Sequence, residues 1–401
     1  MCKVYDFRSE VCKVKKIGKH KLFRGDCLKI LKKLPDNSID SIVTDPPYGL
    51  KFMAKKWDHD VPQVAVWKEC LRVLKPGGYL LAFAGTRTQH RMAVNIEDSG
   101  FAIVDILAWV YSSGFPKSQN ISKALTKAVS SKVKTQLQKH AEKWQGFGTA
   151  VKPAFEPITM ARKPLEGTYV ANILKHGVGA LNIDGCRVHS GGPKQKTAGV
   201  RTVDTSGGWG VAKGGSSYVK GTGAQWTNEG RFPANLIHDG SDEVRHAFPE
   251  APGQQGDLKG HSKDRKSKGC YGDMKQARDH AKRVETDKSA ARFFYVAKAS
   301  KKDRDEGNNH ITVKPRALMR YLVRLVTPIG GTCLDPYMGS GTTLVACEEE
   351  GCYKGVGIEL LKEHFTICKM RVRKARRLNN AKAESVKPIK SQKKTKVKHG
   401  R

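Results

Sequence analysis

Hydrophobic and polar residues follow one another in short blocks along this chain, and two patterns recur, one typical of strands and one typical of helices. Brief apolar or β-branched runs end at Gly, Pro or an acid, as buried strands do, and stretches with helical apolar spacing follow them. The predicted strands are 21–26, 40–44, 79–84, 101–111, 157–162, 291–297, 332–335 and 355–359, and the predicted helices are 27–34, 64–74, 89–98, 122–144, 318–326 and 344–350. Strands that alternate with helices indicate an α/β protein with a mostly parallel sheet.

The periodicity weakens between about residues 165 and 290, where Gly, Ser, Lys and His dominate. Two apolar islands, Gly179–Asp184 and Arg231–His238, could each form a short strand. Basic and aromatic residues among glycines suit a surface that binds a nucleic-acid groove, whereas a disordered insertion could have the same composition. We favour the recognition surface.

The chain carries far more positive charge than solubility requires. It has 73 Lys and Arg against 38 Asp and Glu, a net charge of +35. This excess predicts a polyanionic partner, because neutralised phosphates release counterions. Residues 371–401 alone hold 13 Lys and Arg and one acid. We expect a disordered basic arm there, which either adds sequence-independent affinity or only keeps the protein soluble.

The predicted helix 122–144 is also basic. Its lysines are Lys123, Lys127, Lys132, Lys134, Lys139 and Lys143. Because no regular series of acids faces them, the pattern favours a helix lying along phosphates over a merely solvated surface helix.

Length and cysteine usage set outer limits. A chain of 401 residues corresponds to two or three domains. No apolar run approaches the roughly 20 residues that span a bilayer. The first residues form no export signal, so we expect a cytoplasmic protein. The ten cysteines are scattered without a Cys-x-x-Cys pair, which predicts free thiols and no metal site.

The first candidate for chemistry is the loop Asp45-Pro46-Pro47-Tyr48. It follows a predicted strand, so Asp45 should lie at the sheet edge where α/β proteins bind ligands. The prolines stiffen the loop and offer no N–H. A carboxylate, the Pro46 carbonyl and the Tyr48 ring match a planar heterocycle with an exocyclic amine. A turn that simply ends a strand is the alternative for so short a motif.

A second candidate lies 290 residues further along the chain. The stretch Leu334-Asp335-Pro336-Tyr337-Met338-Gly339-Ser340-Gly341-Thr342-Thr343 joins a predicted strand to a predicted helix. Glycines let the backbone approach a ligand, and a helix N-terminus offers unpaired N–H groups. One strand later Gly355–Glu359 ends in an acid, where related folds bind ribose hydroxyls.

Together the two motifs resemble those of DNA amino-methyltransferases that use S-adenosylmethionine, in the N-4/N-6 DNA methylase family. Because the catalytic motif comes first, the order is similar to that of the β class, of an adenine-N6 and phage- or prophage-like type. The resemblance implies a circularly permuted, Rossmann-like methyltransferase fold. Its sheet would be mostly parallel, with an antiparallel hairpin at the edge and a large irregular insertion.

The resemblance also assigns roles to residues. The catalytic residues would be Asp45, Pro46, Pro47 and Tyr48. The cofactor-binding residues would be Asp26, Cys27, His310, Lys314, Asp335, Pro336, Tyr337, Gly339, Ser340, Gly341, Thr342, Thr343 and Glu359. Helix capping remains an alternative role for Asp26, His310 and Lys314, and core packing for Cys27.

The implied activity is methylation of adenine N6 in double-stranded DNA after base flipping. Cytosine-N4 methylation, RNA methylation and a catalytically inactive DNA-binding protein are the alternatives, and a cognate restriction endonuclease is a possible partner. The resemblance divides the chain into 20–165 (catalytic half), 166–290 (target recognition), 291–370 (cofactor half) and 371–401 (basic tail).

Overall fold

The computed structural model describes most of the chain. The described residues are 13–50, 59–116, 118–127, 134–188, 195–196, 226–227, 230–251, 289–298, 300, 303–310 and 312–385. The chain forms two compact units. The first consists of residues 1–104, 159–181 and 299–401, and the second of residues 105–158 and 182–298. The first unit contains both ends of the chain, and the two candidate motifs, at 45–48 and 334–343, both lie in it.

The strands and helices alternate along much of the chain. The strands are β1 (Lys13–Ile17), β2 (His20–Arg24), β3 (Ile39–Thr44), β4 (Leu74–Phe83), β5 (Ala102–Val110), β6 (Phe155–Arg162), β7 (Gln195–Lys196), β8 (Trp226–Thr227), β9 (Leu236–His238), β10 (Tyr295–Val296), β11 (Thr332–Asp335) and β12 (Lys354–Glu359). The helices are α1 (Cys27–Leu31), α2 (Val64–Val73), α3 (Gln89–Glu97), α4 (Ile121–Lys127), α5 (Lys134–Lys143), α6 (Tyr169–His176), α7 (Asp242–Ala247), α8 (Arg316–Val326), α9 (Thr342–Glu349) and α10 (Lys362–Ser385).

The sheet of the first unit follows the order β1-β2-β12-β11-β3-β4-β6. Strands β2, β12, β11, β3 and β4 are parallel to one another, and β1 pairs antiparallel with β2 at the edge. β3 lies beside β11, with Ile42 opposite Leu334, although almost 300 residues separate them in sequence. The predicted Rossmann-like, mostly parallel sheet is confirmed, and the strand before Asp45 precedes the strand before the glycine turn in sequence.

Helices cover both faces of this sheet. Successive side chains of a strand point to opposite faces, and the apolar ones contribute to two separate cores. Phe23 of β2 packs in a core with α1, α2 and α3, whereas its neighbour Leu22 packs in a second core with α9 and α10. Parallel strands buried on both faces are expected for an α/β sheet. The arrangement leaves the ends of the strands accessible for a site.

The second unit contains its own strand pairing. Strand β9 lies parallel to β5, with Ile237 opposite Trp109, and β10 pairs with β9. β6 and β5 are neighbours, as predicted, but the predicted position of this pair at the sheet edge is wrong, because β9 and β10 extend the sheet beyond β5. The apolar island Arg231–His238 therefore contributes a strand, whereas Gly179–Asp184 does not and is followed by a 3-10 turn at Asp184–Cys186.

Two predicted boundaries differ from the structure. Helix α10 continues to Ser385, because Val372 and Ala375 are buried, so the predicted start of the disordered tail at 371 is wrong. Residues 386–401 lie outside the described residues. The first unit extends past 165 to Leu181, since the buried Asn172 amide donates to the carbonyls of Pro76 and Val178.

The region after Asp45 is only partly described. The sequence of Lys51–Asp60 favours a lid, but residues 51–58 lie outside the described residues. Within the described part of the chain, no helix is both long and apolar enough to cross a membrane.

Candidate active site

The candidate site lies at one edge of the first unit's sheet. Strands β2, β12, β11, β3 and β4 run parallel, so their carboxyl ends share this edge. The residues that end or follow four of them are Asp26, Glu359, Asp335 and Asp45. Open α/β sheets bind their ligands at this edge. The structure therefore brings the two distant motifs to neighbouring strand ends.

Asp45 is held by its own loop. The Tyr48 hydroxyl donates to Asp45 Oδ1 at 2.7 Å. The Tyr48 carbonyl in turn accepts a bond from the Thr88 hydroxyl at 2.6 Å. Gly49 has a φ of +67°, a conformation that favours glycine, and a side chain there would crowd the backbone of Asp60 and Val61. The loop is thus fixed at both Tyr48 and Gly49.

Lys314 joins the Asp45–Tyr48 loop, which is predicted to be catalytic, to the segment before α8. Its ammonium donates to Asp45 Oδ2 at 2.7 Å and to the Tyr48 hydroxyl at 3.1 Å. It also lies 4.9 Å from the centre of the Phe83 ring. Its exposed fraction is only 8%, so the carboxylate compensates a nearly buried charge. Lys314 therefore faces the catalytic loop.

Asp335 is buried between β3 and α9. Its Oδ1 accepts from the Thr44 hydroxyl at 2.7 Å and the Tyr337 backbone N–H at 3.1 Å, and Oδ2 accepts from the Thr343 hydroxyl at 2.6 Å. Burial, with a smaller contribution from the charge of Asp45, raises the pKa of Asp335 to about 6 against the lowering effect of these bonds. With both oxygens bonded to the protein, Asp335 connects β3 and β11 at the site.

The glycine turn packs tightly against protein side chains. Gly339 and Gly341 have φ values of +49° and +81°, in the left-handed region that disfavours side chains. A β-carbon on Gly339 would lie 2.9 Å from His310 Nε2, and one on Gly341 would lie 2.2 Å from Cys368 Sγ. Burial and the nearby His364 lower the pKa of His310. His310 therefore lies against the turn.

Arg371 of α10 is hydrogen-bonded to this turn, and no pattern in the sequence predicted that contact. Its Nη1 donates to the Ser340 carbonyl at 2.9 Å, the Ser340 hydroxyl at 2.9 Å and the Thr342 hydroxyl at 3.0 Å. Nη2 donates to the Asp303 carbonyl at 2.7 Å, and Nε to Asp305 Oδ2 at 3.0 Å. Burial lowers the pKa of Arg371. One guanidinium thus links the turn to the 303–305 segment.

Asp305 is the anion of this network. It also accepts from Arg316 and from Lys374, the latter at 3.0 Å. Burial opposes its ionisation, but the bonds from Lys374 and Arg371 and the charge of Arg316 keep the pKa of Asp305 below its ordinary value. The network anchors the segment that carries His310 and Lys314.

Glu359 ends β12 beside the turn. Its Oε2 accepts from the Gly339 N–H at 3.0 Å and its Oε1 from the Leu361 N–H at 2.8 Å. A carboxylate has about four acceptor positions, so each oxygen keeps capacity for a further donor. On the adjacent strand end, Asp26 caps α1 by accepting from the Lys29 N–H at 2.9 Å. The capping role predicted for Asp26 is confirmed.

The other predicted cofactor residues are mostly buried. Pro336, Ser340, Thr342 and Thr343 are buried. Of the two prolines predicted to be catalytic, Pro46 is buried and Pro47 is half-buried. Cys27 bonds to the Tyr337 side chain, and burial raises the pKa of both groups. Among the described residues, no group of three or more His, Cys, Asp and Glu side chains is placed to hold a metal ion.

Comparison with known proteins identifies the family. The DNA methylase family, N6_N4_Mtase, matches residues 39–370. The type II methyltransferase M.HindIII of Haemophilus influenzae is 29% identical over an alignment of 205 positions, which covers 40% of this chain and 64% of that protein. M.HpaI of Haemophilus parainfluenzae is 30% identical over an alignment of 118 positions, which covers 25% of this chain and 35% of that protein. These matches span less than two thirds of either relative.

A similar solved structure is that of M1.HpyAVI, described as a complex with SAM. It has a TM-score of 0.40 and 16% identity and covers 88% of this chain and 98% of its own. The family match alone spans both motifs and more than three quarters of the sequence. The chain therefore belongs to the DNA methylase family of the N6 and N4 type.

Proposed function

We propose that this protein is a site-specific DNA methyltransferase that moves the methyl group of S-adenosylmethionine to the exocyclic N6 of adenine in double-stranded DNA. The observation that carries the proposal is the union of the two motifs at one sheet edge. Thr44 immediately precedes Asp45 and donates to Asp335, the residue that begins the glycine turn. A base at Asp45 and a cofactor at the turn would thus occupy neighbouring positions.

The residues beyond β11 and β12 fit the proposed cofactor. Glu359 retains acceptor capacity for ribose hydroxyls, and Asp26, on the next strand end, can accept from an adenine amine. His310, which lies against the turn, can meet the carboxylate end of the cofactor, whereas the Lys314 ammonium is bonded to Asp45. Asp335 would act through the turn it positions, because its exposed fraction is only 3%. Bound S-adenosylmethionine supplies an electrophilic methyl group on its sulfonium.

The catalytic loop suits an aromatic amine as nucleophile. The lone pair of such an amine is delocalised into the ring, so it is a poor nucleophile until its N–H groups are bonded. Asp45 and the Pro46 carbonyl can accept these N–H groups and stabilise the positive charge that develops on nitrogen. Tyr48 can stack on the ring of a base that has been flipped out of the duplex. In-line positioning supplies the remaining rate gain.

Lys314 has a defined part in this scheme. Its ammonium and the Tyr48 hydroxyl bond to opposite oxygens of Asp45, at 2.7 Å each. The carboxylate is thereby fixed in orientation, and each oxygen keeps a second lone pair for the amine. The loop would be arranged before the base arrives.

The first test uses full-length protein, duplex DNA and cofactor labelled in its methyl group. We expect Asp45→Asn to lower the methylation rate at least about a hundredfold, because a carboxylate acceptor is removed, while the Kd for cofactor changes little. Asp98→Asn, a matched change at the exposed end of α3, should leave the rate unchanged. Near wild-type methylation by Asp45→Asn would refute the assignment.

Digestion of the labelled product identifies the base. We expect N6-methyladenine, because Asp at the first position of the loop is the commoner pattern among adenine enzymes that this chain resembles. N4-methylcytosine would reassign the substrate base and leave the catalytic geometry as proposed. Label in RNA but not in duplex DNA would refute the DNA substrate.

A further inference from the structure

The second unit contains a helical hairpin whose base is closely bonded. The Ser118 hydroxyl oxygen accepts from the backbone N–H groups of Thr149 and Ala150, at 3.0 and 3.2 Å. At the start of α4, the Ile121 N–H donates to the Phe147 carbonyl at 3.1 Å. A β-carbon on Gly148 would lie 2.4 Å from the Ser118 oxygen, so a larger residue would separate the two segments. The turn after α5 is therefore fixed against the start of α4.

This fixed turn exposes large apolar side chains. Trp144 and Phe147 contact each other edge to face, with ring centres 5.0 Å apart, and are 42% and 54% exposed. Val151 and Phe115 at the same end of the unit are 90% and 79% exposed. Clustered exposed aromatic rings indicate a binding surface, because contact with water does not stabilise apolar side chains.

The same hairpin is strongly basic. Residues 118–152 contain seven lysines and one acid, Glu142. None of the lysines whose side chains are described has an ion-pair partner among the described residues; these are Lys123, Lys127, Lys139, Lys143 and Lys152. Exposed amides at Gln119 and Gln145 lie in the same segments. We call residues 118–127 and 139–152, together with Phe115, the hairpin surface.

We propose that the hairpin surface binds duplex DNA, with its lysines on phosphates and the Phe147 ring against bases. The inference rests on the proposed function and adds the location of a DNA contact. Uncompensated lysines beside the rings disfavour an apolar protein partner, because burying them there would leave charges unpaired. Phosphates compensate the lysines, an exposed ring can contact bases from a groove or wedge between base pairs, and amides can read base edges.

This location differs from the recognition region predicted at 166–290. Much of that region lies outside the described residues, and one described part of it, α6, belongs to the first unit. The hairpin surface comes instead from the segment that connects β5 and β6. In this proposal the lysines of the hairpin surface supply affinity for phosphates, and its rings supply the contact with bases.

The test compares variants of the full-length protein on one duplex at several salt concentrations. Lys139→Gln combined with Lys143→Gln should weaken binding and reduce the slope of log Kd against log salt by about 1.8, because two phosphates are no longer neutralised. Lys32→Gln combined with Lys33→Gln, at the far end of α1, is the matched control and should keep the wild-type slope. An unchanged slope in the hairpin variant would overturn the proposal.

A second variant tests the ring independently of charge. Phe147→Ala should raise the Kd for DNA about fivefold or more at every salt concentration and leave the slope unchanged, because the ring contacts bases without neutralising a phosphate. Leu174→Ala, at another highly exposed apolar residue, should bind as the wild type does. Wild-type affinity of Phe147→Ala would remove the ring from the proposal.

Two further outcomes separate this inference from the proposed function. If all variants bind and methylate DNA as the wild type does, the hairpin surface is wrong and the methyltransferase assignment stands. If the wild type neither binds nor methylates DNA, both fail. Sedimentation with phosphatidylglycerol and phosphatidylcholine vesicles tests a membrane instead: vesicle binding that the lysine variant loses, with DNA affinity intact, would overturn the DNA contact.

Discussion

Lys314 occupies the point where the two motifs meet. Its segment resembles a family element in which His310 and Lys314 lie near the cofactor, and helix capping is an equal alternative from sequence. The structure instead bonds the Lys314 ammonium to Asp45 and Tyr48. A lysine 269 residues from its partner leaves no local pattern, so sequence could not reveal this contact.

We predict that Lys314→Gln impairs catalysis more than cofactor binding. The shorter neutral side chain removes the ion pair that orients Asp45, so kcat should fall at least about a hundredfold. The Kd for S-adenosylmethionine, measured by calorimetry, should change less than about tenfold. The reverse pattern, a large rise in Kd with kcat preserved at saturating cofactor, would mean that Lys314 serves the cofactor alone.

Arg371 is a positioning residue by the same reasoning. Its guanidinium makes five bonds, three of them to the Ser340–Thr342 turn. We predict that Arg371→Lys raises the Kd for cofactor about tenfold or more, because an ammonium cannot reproduce the planar set of donors. At saturating cofactor, kcat should recover.

The control for this prediction is Arg373→Lys, two residues further along α10. Arg373 is exposed, so its substitution should leave both the Kd and the unfolding temperature unchanged. An Arg371→Lys protein that unfolds at lower temperature yet binds cofactor normally would make Arg371 structural only.

At the scale of elements, the sequence predicted the strands and helices around the site closely. Strand β3, helix α2 and strand β12 agree to within a residue or two, because strong apolar runs there end at Pro, Gly or an acid. Strand β4 begins at Leu74, whereas the sequence predicts a start at Tyr79. The pairing shifts by a bulge, which places residues 75–78 outside the regular ladder.

Helix α10 shows where composition misled the prediction. Its second half is so rich in Lys and Arg that it resembles a solvated tail. Burial of Val372 and Ala375 stabilises it as a helix. Arg371, almost fully buried, has the same appearance in sequence as its exposed neighbours, since only the tertiary structure distinguishes them.

Asp335 joins three elements and gives a prediction for pH. Its folded-state pKa of about 6 exceeds its ordinary value of 3.8, so the folded protein holds this proton more tightly than the unfolded chain. The free energy of unfolding should therefore fall as pH rises from about 4 to about 6, by roughly 3 kcal/mol from this group.

Asp335→Asn should lack this component. The amide oxygen can still accept from Tyr337, and the amide N–H₂ can donate to the hydroxyl of Thr343. Urea unfolding between about pH 4 and pH 7 measures both proteins, and their difference isolates the carboxyl group from other titrations. Parallel stability curves across this range would contradict a raised pKa at Asp335.

At the scale of the molecule, positive charge extends well beyond the site. Residues 386–401 contain seven Lys and Arg and no acid. We predict that removal of 386–401, which leaves α10 intact, weakens binding to specific and random duplexes by the same factor. The slope of log Kd against log salt should also become shallower, by about 0.9 for each phosphate that these cations neutralise.

The cofactor Kd of the truncated protein should match the wild-type value, which controls for damage to the fold. A truncated protein with the full salt slope would show that these cations only keep the protein soluble. A weakening confined to the specific duplex would instead assign them to base recognition.

The pairing of β3 with β11 has a consequence for the order in which the protein is made. The ribosome completes the catalytic loop early but delivers β11 and β12 only after more than 330 residues. Until then β3 pairs with β4 but lacks its other neighbour, β11, and Thr44 lacks the carboxylate to which it donates. A premature stop before Thr332 would therefore yield a chain with an intact catalytic motif and nowhere to hold a methyl donor.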